Sequence, residues 1–191
     1  MPKIVLTGAP GSGKTTLCSL IAQSDPHRFA AVPEAATQVY SAAEARWDRA
    51  DTNRRRELQR QIYRLQREQE ERNERENPGK TLILDRGTVD GAAYWPDGPD
   101  DYMTQLKTTF AAEFARYELV ILLQTAAAIG IYDGSASNPV RFEDAAGALA
   151  AAETLERLWS GHPNLVRVQA CANLYEKFQA VKQIIDLQLA R

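Results

Sequence analysis

Cysteine is scarce in this chain: Cys18 and Cys171 are the two present among 191 residues. They show neither metal-ligand spacing nor a disulfide framework, and both read as small buried hydrophobes. Histidine is equally scarce. His27 and His162 each neighbour a proline and have no partner in sequence, so they read as loop or surface residues without a chemical role. Long hydrophobic runs are missing as well, the longest falling far short of the roughly twenty residues that cross a bilayer. The first residues lead directly into a strand pattern with no signal-peptide signature, so a cytoplasmic protein with no membrane partner is expected. Charge of one sign is not in excess either. A formal net charge of -2 gives no reason to expect a nucleic-acid surface. With no internal repeat and no low-complexity tail, 44% hydrophobic and 25% charged residues describe an ordinary globular chain, and residues 1–191 read as one domain.

Against that plain background one stretch stands out. Gly8 to Thr16, GAPGSGKTT, follows the apolar run Ile4-Val5-Leu6 and fits G-x-x-x-x-G-K-[ST] with Gly8, Gly13, Lys14 and Thr15 on the fixed positions. A strand feeding a glycine-rich loop and then a helix is the context that a phosphate-binding loop requires. Gly8, Gly11 and Gly13 permit the backbone to wrap its amides around a phosphate, with Pro10 and Ser12 between them. Lys14 is placed to reach the β- and γ-phosphates, and the Thr15 hydroxyl to occupy one position on Mg²⁺. Thr16, Leu17, Leu20 and Ile21 continue as a helix whose N-terminus adds its dipole to the site.

The rest of the chain alternates strands and helices. Lys3–Thr7, Phe29–Val32, Thr81–Leu84, Leu119–Leu123 and Leu165–Val168 read as short buried strands. Two of them end in acids at the edge where ligands of an open α/β sheet collect: Glu34 after the second and Asp85 after the third. Asp85 has the Walker B arrangement and is the second expected Mg²⁺ ligand. Glu34 reads either as a catalytic carboxylate or as a helix cap, and Arg86 either as a substrate-orienting group or as half of an ion pair. Asp90 and Tyr94 follow as candidate substrate contacts, although Tyr94 and Trp95 beside a turn also suit core and rim positions. Between 35 and 77 the charge is dense and of both signs, predicting one or two long helices with a narrow stripe at Leu58, Ile62 and Leu65 and a salt-bridged outer face. A helix is expected from Asp101 to Tyr117, another from Glu143 to Trp159, and a last one capped by Asn173 that buries Leu174, Phe178, Val181, Ile184, Ile185 and Leu189. The stretch 125–145 has little periodicity and suits a lid, in which Arg141 either meets transferring phosphate or pairs with Glu143 or Asp144.

GAPGSGKTTL at 8–17, VPEAA at 32–36, LDRGTVDGAAYW at 84–95 and VRFED at 140–144 together resemble the AAA-domain P-loop ATP-binding family that includes the NadR-type nicotinamide riboside kinases. That resemblance implies a five-stranded parallel sheet of order 2-3-1-4-5, ATP and Mg²⁺ as cofactors, Asp85 as a metal and catalytic carboxylate, Arg141 as a lid arginine, and Glu34 as the base for an acceptor hydroxyl. The expected activity is transfer of phosphate from ATP to a small, nucleoside-like hydroxyl or phosphate acceptor. The competing expectation is a nucleotide-dependent switch that hydrolyses slowly and signals to a protein partner. No [NT]-K-x-D string is present to read guanine, and Arg86 stands where a mechanical ATPase carries a second acid. The acceptor's identity and the oligomeric state stay open.

Overall fold

A computed structural model describes residues 1–43, 50–131 and 144–190. Strands β1 (Lys3–Thr7), β2 (Phe29–Val32), β3 (Thr81–Asp85), β4 (Leu119–Leu123) and β5 (Leu165–Val168) form a parallel sheet in the order β2-β3-β1-β4-β5. This is the expected order. Ile4, Leu6, Ile83 and Ile121 pack on one face with helix α1 (Lys14–Ser24) and helix α7 (Leu174–Leu189). Val5, Leu82, Leu84 and Val120 point to the opposite face, where they meet Trp95, Tyr102 and Trp159. Side chains on alternate faces that are both buried explain why these strands read as unbroken apolar runs.

The register determines where the chemistry sits. Leu6 pairs with Asp85, so the phosphate loop leaves β1 abreast of the last residue of β3. Val32 pairs with Leu84, which brings Glu34 just past Asp85 at the same edge.

The charged stretch forms two helices, α2 (Ala35–Ala42) and α3 (Thr52–Glu76), the latter capped by Asp51, whose side chain accepts from the Arg54 amide at 2.8 Å. The inner stripe of α3 differs from the expectation. Leu58 is buried, but the stripe continues through Gln59, Gln66, Gln69 and Glu70, because its second half covers polar partners instead of apolar ones. The expected helix from Asp101 to Tyr117 is also divided, into α4 (Pro99–Gln105) and α5 (Phe110–Phe114). Lys107 turns left-handed at φ 56° and the Thr109 hydroxyl caps α5 from the Ala112 amide, so a stop and a fresh start replace the continuous helix.

Helix α6 (Ala145–Trp159) begins at Asp144, which caps it through the Gly147 amide. Asn173 caps α7 as expected, but Leu174 is 43% exposed, lying over the phosphate loop at Gly13 instead of in the core. His162 lies in the loop between α6 and β5, as one of the two expectations had it, but it is buried there against Phe114 and Trp159 and not on the surface. Its Nδ1 accepts from the Asn164 amide, which leaves the proton on Nε2 to donate to the Tyr117 carbonyl. Cys18 is buried and Cys171 only partly so. Of the expected lid, Ala126–Ile129 forms one short 3-10 turn, while 132–143, with Arg141 and Glu143, lies outside the described residues. Among the described residues no helix is long and apolar enough to cross a membrane.

Candidate active site

Gly8 to Thr16 forms a loop closed on itself and on α1. Gly8 has φ 145°, and a Cβ there would lie 2.3 Å from the Leu123 carbonyl oxygen, so no other residue fits without moving β4. Gly13, at φ 85°, caps α1. Lys14 is buried with its ammonium donating to the carbonyls of Gly8 (2.8 Å) and Ala9 (3.1 Å) and to Ser12 Oγ (3.2 Å). Pro10 is buried at the cleft and Gly11 half-buried beside it, and Thr15 and Thr16 stand on the first turn of the helix.

Asp85 meets this helix turn. Thr15 Oγ1 donates to Asp85 Oδ2 at 2.6 Å, while the buried Oδ1 has no hydrogen-bond partner among the described residues. Burial and the neighbouring Glu34 carboxylate push the Asp85 carboxyl up, against the opposing pull of Lys14, the Thr15 hydroxyl and Arg86. A hydroxyl, a carboxylate and an orphaned buried oxygen are hard donors that fit Mg²⁺, which takes one or two protein oxygens and completes its shell with phosphate and water. Thr15 and Asp85 are the residues that would hold it.

Arg86 adopts φ 83°, a strained conformation for a side chain of this size. It is held there from several directions. Its amide donates to the Leu6 carbonyl at 3.0 Å, its Nε to Glu34 Oε1 at 2.5 Å and its Nη1 to Asp90 Oδ2 at 3.0 Å. Burial opposes the charge, but Tyr94 and the carboxylates of Glu34 and Asp90 outweigh it and raise Arg86 well above the usual arginine value. The ion pair read as one alternative for Arg86 is present, with Glu34 and Asp90 as its partners, and Glu34 stands at the N-cap position of α2 without a side-chain capping bond, its carboxylate turned to Arg86 at the mouth of a cleft. Glu34 Oε2 also accepts from Thr37 Oγ1 at 2.6 Å.

Asp90 lies at the bottom of this arrangement. It accepts from Thr7 Oγ1 at 2.8 Å and from Trp159 Nε1 at 2.7 Å in addition to Arg86, so its carboxylate is engaged in orienting the arginine. Thr7 and Trp159 carried no signal in sequence, since each contact spans more than 65 positions. Tyr94 faces the cleft, with the Arg86 guanidinium 6.0 Å from its ring centre. Trp95 is core instead: it is buried, donates to Asp101 at 2.7 Å and packs edge-on against Tyr102.

The cleft beside these groups encloses about 720 Å³ of empty space, part of it open to solvent. Glu34, Arg86 and Pro10 stand at the phosphate-loop end, and Tyr40, Gln59 and Tyr63 contribute walls from α2 and α3. Gln59 Nε2 donates to the Tyr40 hydroxyl at 3.0 Å. Behind the cleft lies a buried polar network that the sequence did not disclose. Glu113 accepts from Tyr63, Thr88 and Thr108, and Glu70 accepts from Gln66, Tyr117, Lys3 and Arg116.

The AAA domain family profile matches residues 3–175. No curated protein matches the chain. Among solved structures, the fold is similar to NadR protein in complex with NAD and AMP-PNP, with a TM-score of 0.69 and 14% identity over 100% of this chain. The chain spans 50% of that protein's length. It is also similar to deoxyadenosine kinase from M. mycoides with the products dCMP and a flexible dCDP bound, with a TM-score of 0.65 and 14% identity over 97% of this chain and 99% of that one. At this identity the likeness is one of fold. The family match runs from β1 into α7 and takes in the phosphate loop, Glu34, Asp85 and Arg86, and on that match the chain belongs to the AAA domain family.

Proposed function

We propose that the protein is an ATP- and Mg²⁺-dependent phosphotransferase acting on a small, nucleoside-like acceptor. The observation that carries this reading is the adjacency of two compartments: a phosphate loop completed by Thr15 and Asp85, and a cleft lined by tyrosines and glutamines that meets it at Glu34 and Arg86. A slow switch needs the first compartment and has no use for the second. The ligands of the similar folds, AMP-PNP with NAD in one and dCMP with dCDP in the other, favour nucleotides and nucleoside-like molecules over other small molecules.

In this reading the triphosphate lies along the loop amides, and Lys14 exchanges carbonyl contacts for the β- and γ-phosphate oxygens. Thr15 and Asp85 would hold Mg²⁺, which would supply neutralisation of the developing phosphate charge. The acceptor hydroxyl sits at Glu34. As its oxygen bonds to the γ-phosphorus, the bond to the β,γ-bridging oxygen breaks with its electron pair leaving on ADP, and the hydroxyl proton passes to the Glu34 carboxylate. A carboxylate paired to arginine is a weak base. It suffices where the transition state is loose and the proton leaves late. Arg86, charged and fixed by Asp90, stabilises Glu34 and faces the transferring group, a geometry that makes catalysis chiefly a matter of positioning. Arg141 is proposed as the further cation of the lid. The test is ADP release from Mg·ATP with and without a panel of nucleosides, nicotinamide riboside and nucleoside monophosphates. Turnover should rise with one acceptor and fall by about 100-fold or more in Lys14→Ala. Acceptor-independent hydrolysis across the panel would contradict it.

A further inference from the structure

The phosphate loop is gripped from behind by groups that its own motif does not contain. Five consecutive carbonyls, Gly8 to Ser12, all have donors. Those of Gly8 and Ala9 take the Lys14 ammonium. The other three are held from the end of β4 and from α7. Pro10 O accepts from Thr125 Oγ1 at 2.5 Å, Gly11 O from the Ala126 amide at 3.2 Å, and Ser12 O from the ammonium of Lys177 at 2.9 Å. In a trans peptide the carbonyl of one residue and the N–H of the next point in opposite directions. Carbonyls drawn back at Pro10, Gly11 and Ser12 therefore turn the amides of Gly11, Ser12 and Gly13 to the other side of the loop. The Ser12 amide closes a turn onto the Ala9 carbonyl at 3.2 Å, and those of Gly11 and Gly13 have no partner among the described residues. Two amides of one turn, at Gly11 and Gly13, left without an internal partner on the side away from the anchored carbonyls are donors that an anion can take.

We infer that Lys177 and Thr125 are positioning residues that hold the phosphate loop in its anion-binding shape, by anchoring the Ser12 and Pro10 carbonyls to α7 and to the end of β4. The inference rests on the nucleotide-binding reading above. Lys177 is unusual in its own right. It is 5% exposed and shares its stripe of α7 with Val181 and Ile185, where an apolar residue is expected. Its two hydrogen-bond partners are carbonyls, Ser12 O and Gln124 O (2.8 Å), and no carboxylate lies within ion-pair distance among the described residues. Burial pulls its ammonium down from the usual lysine value. A buried ammonium paired only to carbonyls is poor material for stability. Its placement makes sense as a tie between the final helix and the loop. Thr125 is fully buried, and its Oγ1 also accepts from the Ala127 amide, so one hydroxyl shapes both the loop and the turn after β4.

The experiment is calorimetric titration of Mg·ATP and of tripolyphosphate into wild type, Lys177→Met, Lys177→Arg, Thr125→Val and Thr125→Ser, with the melting temperature of each ligand-free protein as the folding control. Met and Val preserve length and volume while removing the donor. We expect Lys177→Met and Thr125→Val each to weaken both ligands about ten-fold or more with the melting temperature nearly unchanged, and Lys177→Arg and Thr125→Ser to recover much of the loss. Affinities within two-fold of wild type in Lys177→Met and Thr125→Val would overturn the inference. So would losses that track a fall in melting temperature and are not rescued by the conservative variants. A wild-type protein that binds neither ligand would overturn the nucleotide reading and this inference with it, which separates the two failures.

Discussion

Glu34 and Asp85 are two carboxylates at one sheet edge with different surroundings, and the proposed function gives each different work. Asp85 is buried, takes the Thr15 hydroxyl on one oxygen and leaves the other without a hydrogen-bond partner among the described residues, as a group would that meets a cation. Glu34 spends its oxygens on Arg86 and Thr37 at the edge of the cleft, where the proposed function puts the acceptor. The two substitutions should therefore have different kinetic signatures. Glu34→Gln is expected to lower kcat roughly 100-fold or more with little change in the affinity for Mg·ATP. Asp85→Asn keeps an acceptor for Thr15 but loses the charge, and is expected to raise the Mg²⁺ concentration needed for half-maximal ATP binding. Titrations of Mg²⁺ and of ATP on both variants check the split, and equal effects on both parameters in both variants would contradict it. Arg86→Lys is not a mild change here, since a lysine cannot serve Glu34 and Asp90 with two separate nitrogens.

Helix α3 and the short helix α5 meet through the network of Glu113, Thr88, Tyr63 and Thr108, which fixes the back wall of the cleft. Burial works to raise the Glu113 carboxyl, but the hydrogen bonds from Thr88, Tyr63 and Thr108 and the charge of Arg116 outweigh it and hold Glu113 below its ordinary 4.5. A depressed carboxyl stabilises the folded state above its unfolded pKa, and that contribution disappears as pH falls through the folded value. Glu113→Gln should accordingly be less stable than wild type at neutral pH, and the gap should close as pH drops below about 4.5. Urea midpoints measured from pH 7 downward read this directly, and a gap independent of pH would refute it. At this scale the sequence was legible wherever a local pattern decides the outcome. The five strands and the cap at Asn173 follow from short unbroken apolar runs and a side-chain oxygen close in sequence. The polar inner face of α3 was not legible, because it depends on partners such as Glu113 and Tyr117 some fifty positions away, whereas the break at Lys107 had a local mark in the capping Thr109 that the apolar spacing across it overrode.

Across the whole molecule, strand register gathers the phosphate loop, Asp85 and Glu34 to one edge, and α7 returns from the far end of the chain to prop the loop at Lys177. The motif residues could be read from a single segment, and Glu34 and Asp85 from where strands end. The ties among segments could not, although a lysine on the Val181–Ile185 stripe was a visible anomaly. Because the site is assembled from so many segments, ligand binding should stabilise the protein globally. Mg·ATP at about 100 times its Kd adds about 2.7 kcal/mol, which for a chain of this size raises the melting temperature by about 5–10 °C. That shift should be lost in Lys14→Ala and reduced when EDTA removes the metal.

In the proposed reaction the γ-phosphoryl group reaches an acceptor in the cleft and not water. This is tested most directly by following γ-labelled ATP with the acceptor that best stimulates turnover and separating the products. One label should appear on the acceptor for each ADP formed, with the label transfer abolished in Lys14→Ala. Label recovered as inorganic phosphate, at a rate indifferent to every acceptor, would contradict it and leave a slow nucleotide switch as the better description.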